Sequence, residues 1–138
     1  MAKNSKIYWN YERPTRAVAS VAISAGVGLV LDTSLGDTNQ CVPKYKLPTA
    51  GGRIDGVAVD DATAGVFFDL VNEKEKEKFV PVKAAATFTT GVELAVGADG
   101  RFQTATVGQL VVAISQTGAT AENQVVTALL IAPYSKGA

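Results

Sequence analysis

Four aspartates between positions 55 and 69, Asp55, Asp60, Asp61 and Asp69, form the densest set of groups in the chain able to act as general acid or base. A carboxylate pair does such work only when unlike environments hold one partner protonated and the other ionised. Asp60-Asp61 falls where a strand is expected to end, a common turn position for Asp, and Asp69 alternates out of the apolar run VFFDLV. These aspartates therefore read as turn and surface residues. The chain contains no histidine, so Ser-His and Cys-His nucleophile pairs and His-bearing metal sites are excluded. Cys41 is the single cysteine; it has no partner for an intrachain disulfide and no imidazole to activate it, and it reads as a small, half-buried apolar residue. Asp32, Ser34, Asp37 and Asn39 offer oxygen ligands in DTSLGDTN, but the Gly and distal Glu of a calcium loop are missing, leaving a polar surface loop. No phosphate-cradling Gly-rich motif occurs. No catalytic, cofactor-binding or metal-ligating residue is expected, and the chain is not expected to be an enzyme.

The opening AKNSKIYWNYERPTR is of another kind. Tyr8, Trp9 and Tyr11 crowd among Lys3, Lys6, Arg13 and Arg16, opposed only by Glu12, and Pro14 interrupts any regular element. Rigid rings bury much area at little entropic cost, and Arg forms bidentate pairs with carboxylates, so these residues are the candidates for binding a partner. Basic residues among aromatics also suit single-stranded nucleic acid, through stacking and phosphate contact. A third reading places Trp9 on the domain's own core.

The rest of the chain must supply the scaffold. In 138 residues there is room for one domain with a core that needs no disulfide or metal. Thirteen basic and thirteen acidic residues cancel, so the molecule as a whole has no electrostatic attraction to nucleic acid or anionic membranes. Its apolar runs are too short or too broken to span a bilayer as helices. The first residues, Met-Ala-Lys-Asn, carry no apolar signal core, and synthesis in the cytoplasm is expected. Abundant Thr, Val, Ala and Gly, with no sustained helical periodicity, point to an all-β fold. In TFTTGVELAVGADGRFQTATVGQLVVAISQTG, Gly97-Ala98-Asp99-Gly100 supplies the positive-φ residues of a hairpin turn. VNEKEKEKFV repeats like charges at i, i+4 and reads as a solvated turn between strands ending near Val71 and starting near Phe79.

The strands repeat. AISAGVGLVL superposes on TFTTGVELAV with a separation of 65 residues, Ile23 meeting Phe88 and Gly26 meeting Gly91. Farther on, Val57-Ala58 matches Val112-Ala113 at a separation of 55, which requires an insertion within residues 32 to 51 of the first copy. Each copy reads as strand, loop, strand, turn, strand. The expected architecture is a small antiparallel barrel or sandwich of two similar β-units, about 17–79 and 80–132, in a single domain 17–138 with an N-terminal arm 1–16.

The ordered series AISAGVGLVL, GGRIDGVAVDDATAG and GVELAVGADGRFQTATVGQLVVAISQTGAT, spanning roughly residues 20 to 132, resembles the capsid decoration (cement, head-stabilising) proteins of tailed bacteriophages. The resemblance implies a compact β-domain, a homotrimer, bound to the major capsid protein on the outer surface of the virion, where it stabilises contacts between capsid subunits. It implies no catalysis, no cofactor and no membrane, and nucleic acid is not the expected partner. Its docking arm would correspond to Lys3, Lys6, Tyr8, Trp9, Tyr11, Arg13 and Arg16. The alternative from another class is a small-barrel module that binds single-stranded nucleic acid.

Overall fold

In the computed structural model of the chain, the described residues are 15–34, 42–72 and 78–137. Ten strands carry the fold: β1 (Thr15–Ala19), β2 (Gly28–Leu31), β3 (Lys44–Lys46), β4 (Gly56–Ala58), β5 (Phe67–Asn72), β6 (Phe79–Lys83), β7 (Glu93–Val96), β8 (Phe102–Thr104), β9 (Leu110–Ser115) and β10 (Val125–Ser135). Among the described residues there is no helix. The protein is all-β.

The first five strands close into a barrel in the order β1-β3-β2-β4-β5, and the last five form a sheet in the order β6-β10-β9-β7-β8. In the barrel β1 lies parallel to β3 and antiparallel to β5. The second sheet copies this arrangement, and a single parallel bridge, Ala84 to Phe102, stands where Ala19 pairs with Tyr45 in the barrel. Closure removes the free edges that short strands would otherwise present.

The ladders correct the register of the repeat. Gly28 pairs with Val57 and Leu29 with Gly56, while Glu93 pairs with Ile114 and Leu94 with Ala113. Val57 therefore corresponds to Ile114, a separation of 57 residues where the sequence match suggests 55. A slip of two residues keeps every side chain on its own face of the sheet, so the pattern of apolar residues does not reveal it. Tyr45 and Phe102 are also 57 apart, which confines the insertion to the chain between Leu31 and Tyr45, a shorter stretch than the 32–51 loop. Among the described residues the units contain five strands each, not three. Strands of three residues, such as β3, β4 and β8, show too few alternations to be recognised.

Phe68, Leu29 and Leu70 fill the barrel, and Phe102, Leu94, Val80, Val82 and Leu130 fill the second core. Each such side chain contributes roughly 1.5–3 kcal/mol on burial. β4 is buried on both faces: Ala58 points into the barrel, and Val57 joins the second core together with Ile54 and Val71. Backbone hydrogen bonds also cross between the halves, from Lys83 N to Gly26 O at 2.8 Å and from Gly51 N to Val96 O at 2.8 Å. Gly26 permits this approach, because a Cβ there would lie 2.8 Å from the Lys83 nitrogen. The result is a shared interior.

Candidate docking surface

β1 and β5 pair with Arg16 opposite Asp69 and Val18 opposite Phe67. Because strand side chains alternate, Phe68 and Leu70 point into the barrel while Phe67 and Asp69 point out. The Arg16 guanidinium lies 5.5 Å from the centre of the Phe67 ring and 3.6 Å from an Asp69 carboxylate oxygen. Arg16 stays well exposed, and Phe67 keeps 50% of its surface in water. Beside it, Val66 is fixed at the start of β5 by the hydrogen bond from Ala19 N to Val66 O (3.0 Å) and is also exposed.

This group carries the composition of an interaction hot spot: a rigid ring, an apolar neighbour, and an Arg already oriented by a cation–π contact and a carboxylate. An ion pair this exposed adds little to stability, so its residues are free to serve an outside partner. The corresponding positions of the second half hold Pro81, Val125 and Thr127, the first and last of them buried, so the charged aromatic group belongs to the barrel alone.

Of the candidate partner-binding residues, Arg16 is on this surface. It sits inside β1, so the strand begins within the stretch assigned to the arm. Lys3, Lys6, Tyr8, Trp9, Tyr11 and Arg13 lie outside the described residues. Val66 and Phe67 are the contributors that sequence reading passed over. The signal was present in VFFDLV, since two adjacent phenylalanines in a strand must face opposite ways and one of them must leave the core.

Among the described residues the acidic side chains of this region are each engaged. Asp55 accepts from Leu31 N (2.7 Å) and pairs with Arg53; Asp61 accepts from Ala25 N (2.8 Å); Asp60 accepts from Asp69 N (3.3 Å). Asp32 accepts from the Ser20 hydroxyl (2.6 Å) and from the hydroxyl and amide of Ser34. Those bonds, Ser20's first, hold its pKa at about 2, below the usual 3.8. Cys41, Asp37 and Asn39 lie outside the described residues. Among the described residues, no three potential metal-ligating acidic or Cys side chains come together.

No protein-family model and no curated protein matches the chain. Among solved structures it is similar to the N base of the head fiber gp8.5 of bacteriophage phi29, with a TM-score of 0.66 and 22% sequence identity. The match covers 85% of this chain and 92% of that one. What the two share is the fold.

Proposed function

We propose that this protein is a structural component of a phage head: a decoration protein that binds the outer face of the shell as a homotrimer and stabilises contacts between major capsid subunits. The observation that carries this reading is the fold likeness to a head-fiber base, which spans nearly the whole of that domain. The resemblance of the ordered β-motifs to capsid decoration proteins supports it independently. The exposed Arg16–Phe67–Asp69 group offers a docking surface on the rigid barrel, and the basic aromatic residues from Lys3 to Arg13 would add a second.

The action is mechanical and not catalytic. A ligand that binds only the assembled shell lowers its free energy by RT ln(1 + [L]/Kd), about 2.7 kcal/mol per site at one hundred times Kd. Three linked docking surfaces raise the effective affinity further, by about 10² to 10⁴. The test is co-sedimentation of the purified protein with empty heads stripped of decoration. Saturable binding, with heads that survive higher temperature or lower salt, is the expected result. Protein that stays in the supernatant at every concentration overturns the reading.

A further inference from the structure

Arg16 and Phe67 share the outward face of the barrel with two lysines. β3 runs parallel to β1, with Val18 paired to Lys44 and Ala19 to Tyr45. Paired residues point the same way, so Tyr45 enters the barrel core with Ala19, while Lys44 stands outside at the level of Val18 and Phe67. Lys46, two residues farther along β3, points out as well and is exposed. Along the strands, Arg16, Phe67 and Lys46 therefore occupy successive levels about 7 Å apart, with Lys44 beside Phe67 at the middle level. The second half shows what a committed cation looks like at the same place. Arg101 stands where the barrel has Lys44, since Phe102 and Tyr45 occupy equivalent positions. It is held by Asp99 at 2.7 Å, Glu122 at 2.8 Å and Asn123 at 2.9 Å, all from its own half. Among the described residues Lys44 and Lys46 form no ion pair, and Arg16 meets only Asp69, at 3.6 Å. The barrel thus presents three cations with donors to spare around an exposed ring.

We propose that this face receives an acidic, extended segment of a partner protein, which sets an apolar side chain against Phe67 and carboxylates two residues to either side of it against Arg16 and Lys46. The charges are complementary, and the spacing is that of every second side chain in an extended peptide, about 7 Å. Lys44, beside the ring, adds attraction for the same segment. Nucleic acid fits the face less well. Asp69 lies 3.6 Å from Arg16 and the Asp32 carboxylate feels the charge of Lys46, so a continuous phosphate backbone laid across the cations would meet a carboxylate at each end. Discrete carboxylates can be placed to avoid both. The proposal rests on the functional reading only in taking the segment to belong to a capsid subunit, and its chemistry is tested without heads.

The probe is a blocked pentapeptide with glutamate at both ends, leucine at the centre and serine between them. It is titrated into the isotope-labelled full chain at low salt, where exposed charges are least screened, and followed by NMR. Saturable shifts at Arg16, Lys44, Lys46 and Phe67 are expected. They should disappear when glutamine replaces the two glutamates, and binding should weaken by about tenfold in the double variant Lys44→Gln, Lys46→Gln. No shifts, shifts centred on Lys83 or Lys136 instead, or tighter binding of oligothymidylate than of the peptide at this face would each overturn the proposal. A second measurement uses empty heads. The double variant Lys44→Glu, Lys46→Glu reverses two exposed or half-buried charges that form no ion pair among the described residues, so it should melt close to the natural protein yet bind heads about tenfold more weakly or worse. Undiminished head binding by that variant overturns the acidic segment and leaves the decoration reading standing. Peptide binding by a protein that never binds heads does the reverse.

Discussion

Gly28 and Gly100 meet backbone to backbone where the two halves join: the Gly28 amide donates to the Gly100 carbonyl at 2.8 Å, and a Cβ on Gly100 would lie 2.7 Å from the Gly28 oxygen. Gly100 also has a φ of +82°, as the hairpin between β7 and β8 requires. A residue expected only to turn the chain thus also serves as a joint between the halves.

Gly91 provides the control, since its φ is also +82° but nothing lies within 4 Å of its added Cβ. Gly91→Ala should cost roughly 1 to 2 kcal/mol from the left-handed backbone alone. Gly100→Ala should cost that and about 1–3 kcal/mol more through overpacking. Chemical denaturation of the two variants side by side measures the difference, and equal losses would contradict the joint.

Ile54 belongs to the first half by sequence but is buried in the second core, 3% exposed. Ile54→Ala should destabilise by about 2–5 kcal/mol and lower the midpoint of one cooperative transition. Two separate transitions, in the natural protein or the variant, would show that the halves fold independently.

Asp32 makes a pH-dependent contribution whose sign follows from its lowered pKa. The folded value of about 2 lies below the unfolded value of 3.8, so the contribution is complete above 3.8 and is lost as pH falls through that window toward 2. Because the group is only partly buried, solvent screens the effect and its size stays small. Ser20→Ala should move the Asp32 pKa back toward 3.8 in a carboxyl NMR titration; an unmoved pKa would remove the Ser20 hydroxyl as the main cause.

Arg16→Ala and Phe67→Ser remove exposed groups whose ion pair and cation–π contact are worth no more than about 1 kcal/mol each to the fold. Their melting temperatures should stay close to that of the natural protein while binding to empty heads falls by about tenfold, equivalent to about 1.4 kcal/mol. Unchanged binding by both variants would place the docking contact elsewhere on the molecule.

A chain beginning at Thr15 separates the basic aromatic segment from the barrel strand that carries Arg16. It should melt near the natural protein and bind heads much more weakly. A collapsed midpoint with head binding retained would assign Trp9 to the core.

Much of the architecture could be read from the residues. Gly100, at φ +82°, sits in the turn expected at Gly97–Gly100, and Gly26 and Gly91, matched in the repeat, hold corresponding turns at +89° and +82°; Asn123, at +68°, stands where the barrel has Gly65, which residue type alone did not reveal. Alternation in VFFDLV and GQLVVAIS marks strands, and the absence of helical periodicity fixes the class. These are local properties, decided by one residue or by neighbours two apart, so the sequence by itself determined the all-β class, the hairpin at Asp99-Gly100 and the existence of a repeat.

Register, closure and the grouping of Arg16, Phe67 and Asp69 were decided only by the tertiary structure. A two-residue slip leaves the apolar pattern unchanged, so only the hydrogen-bonded ladder could match Val57 with Ile114. Ile54 looks like any other apolar residue until the two halves pack and place it in the core of its neighbour. The pairing of Arg16 with Phe67 and Asp69 joins residues more than fifty positions apart, through a strand contact that no spacing along the chain encodes. Local preference acts over a few residues, whereas these contacts form only when burial of the whole core repays the entropy of bringing distant segments together.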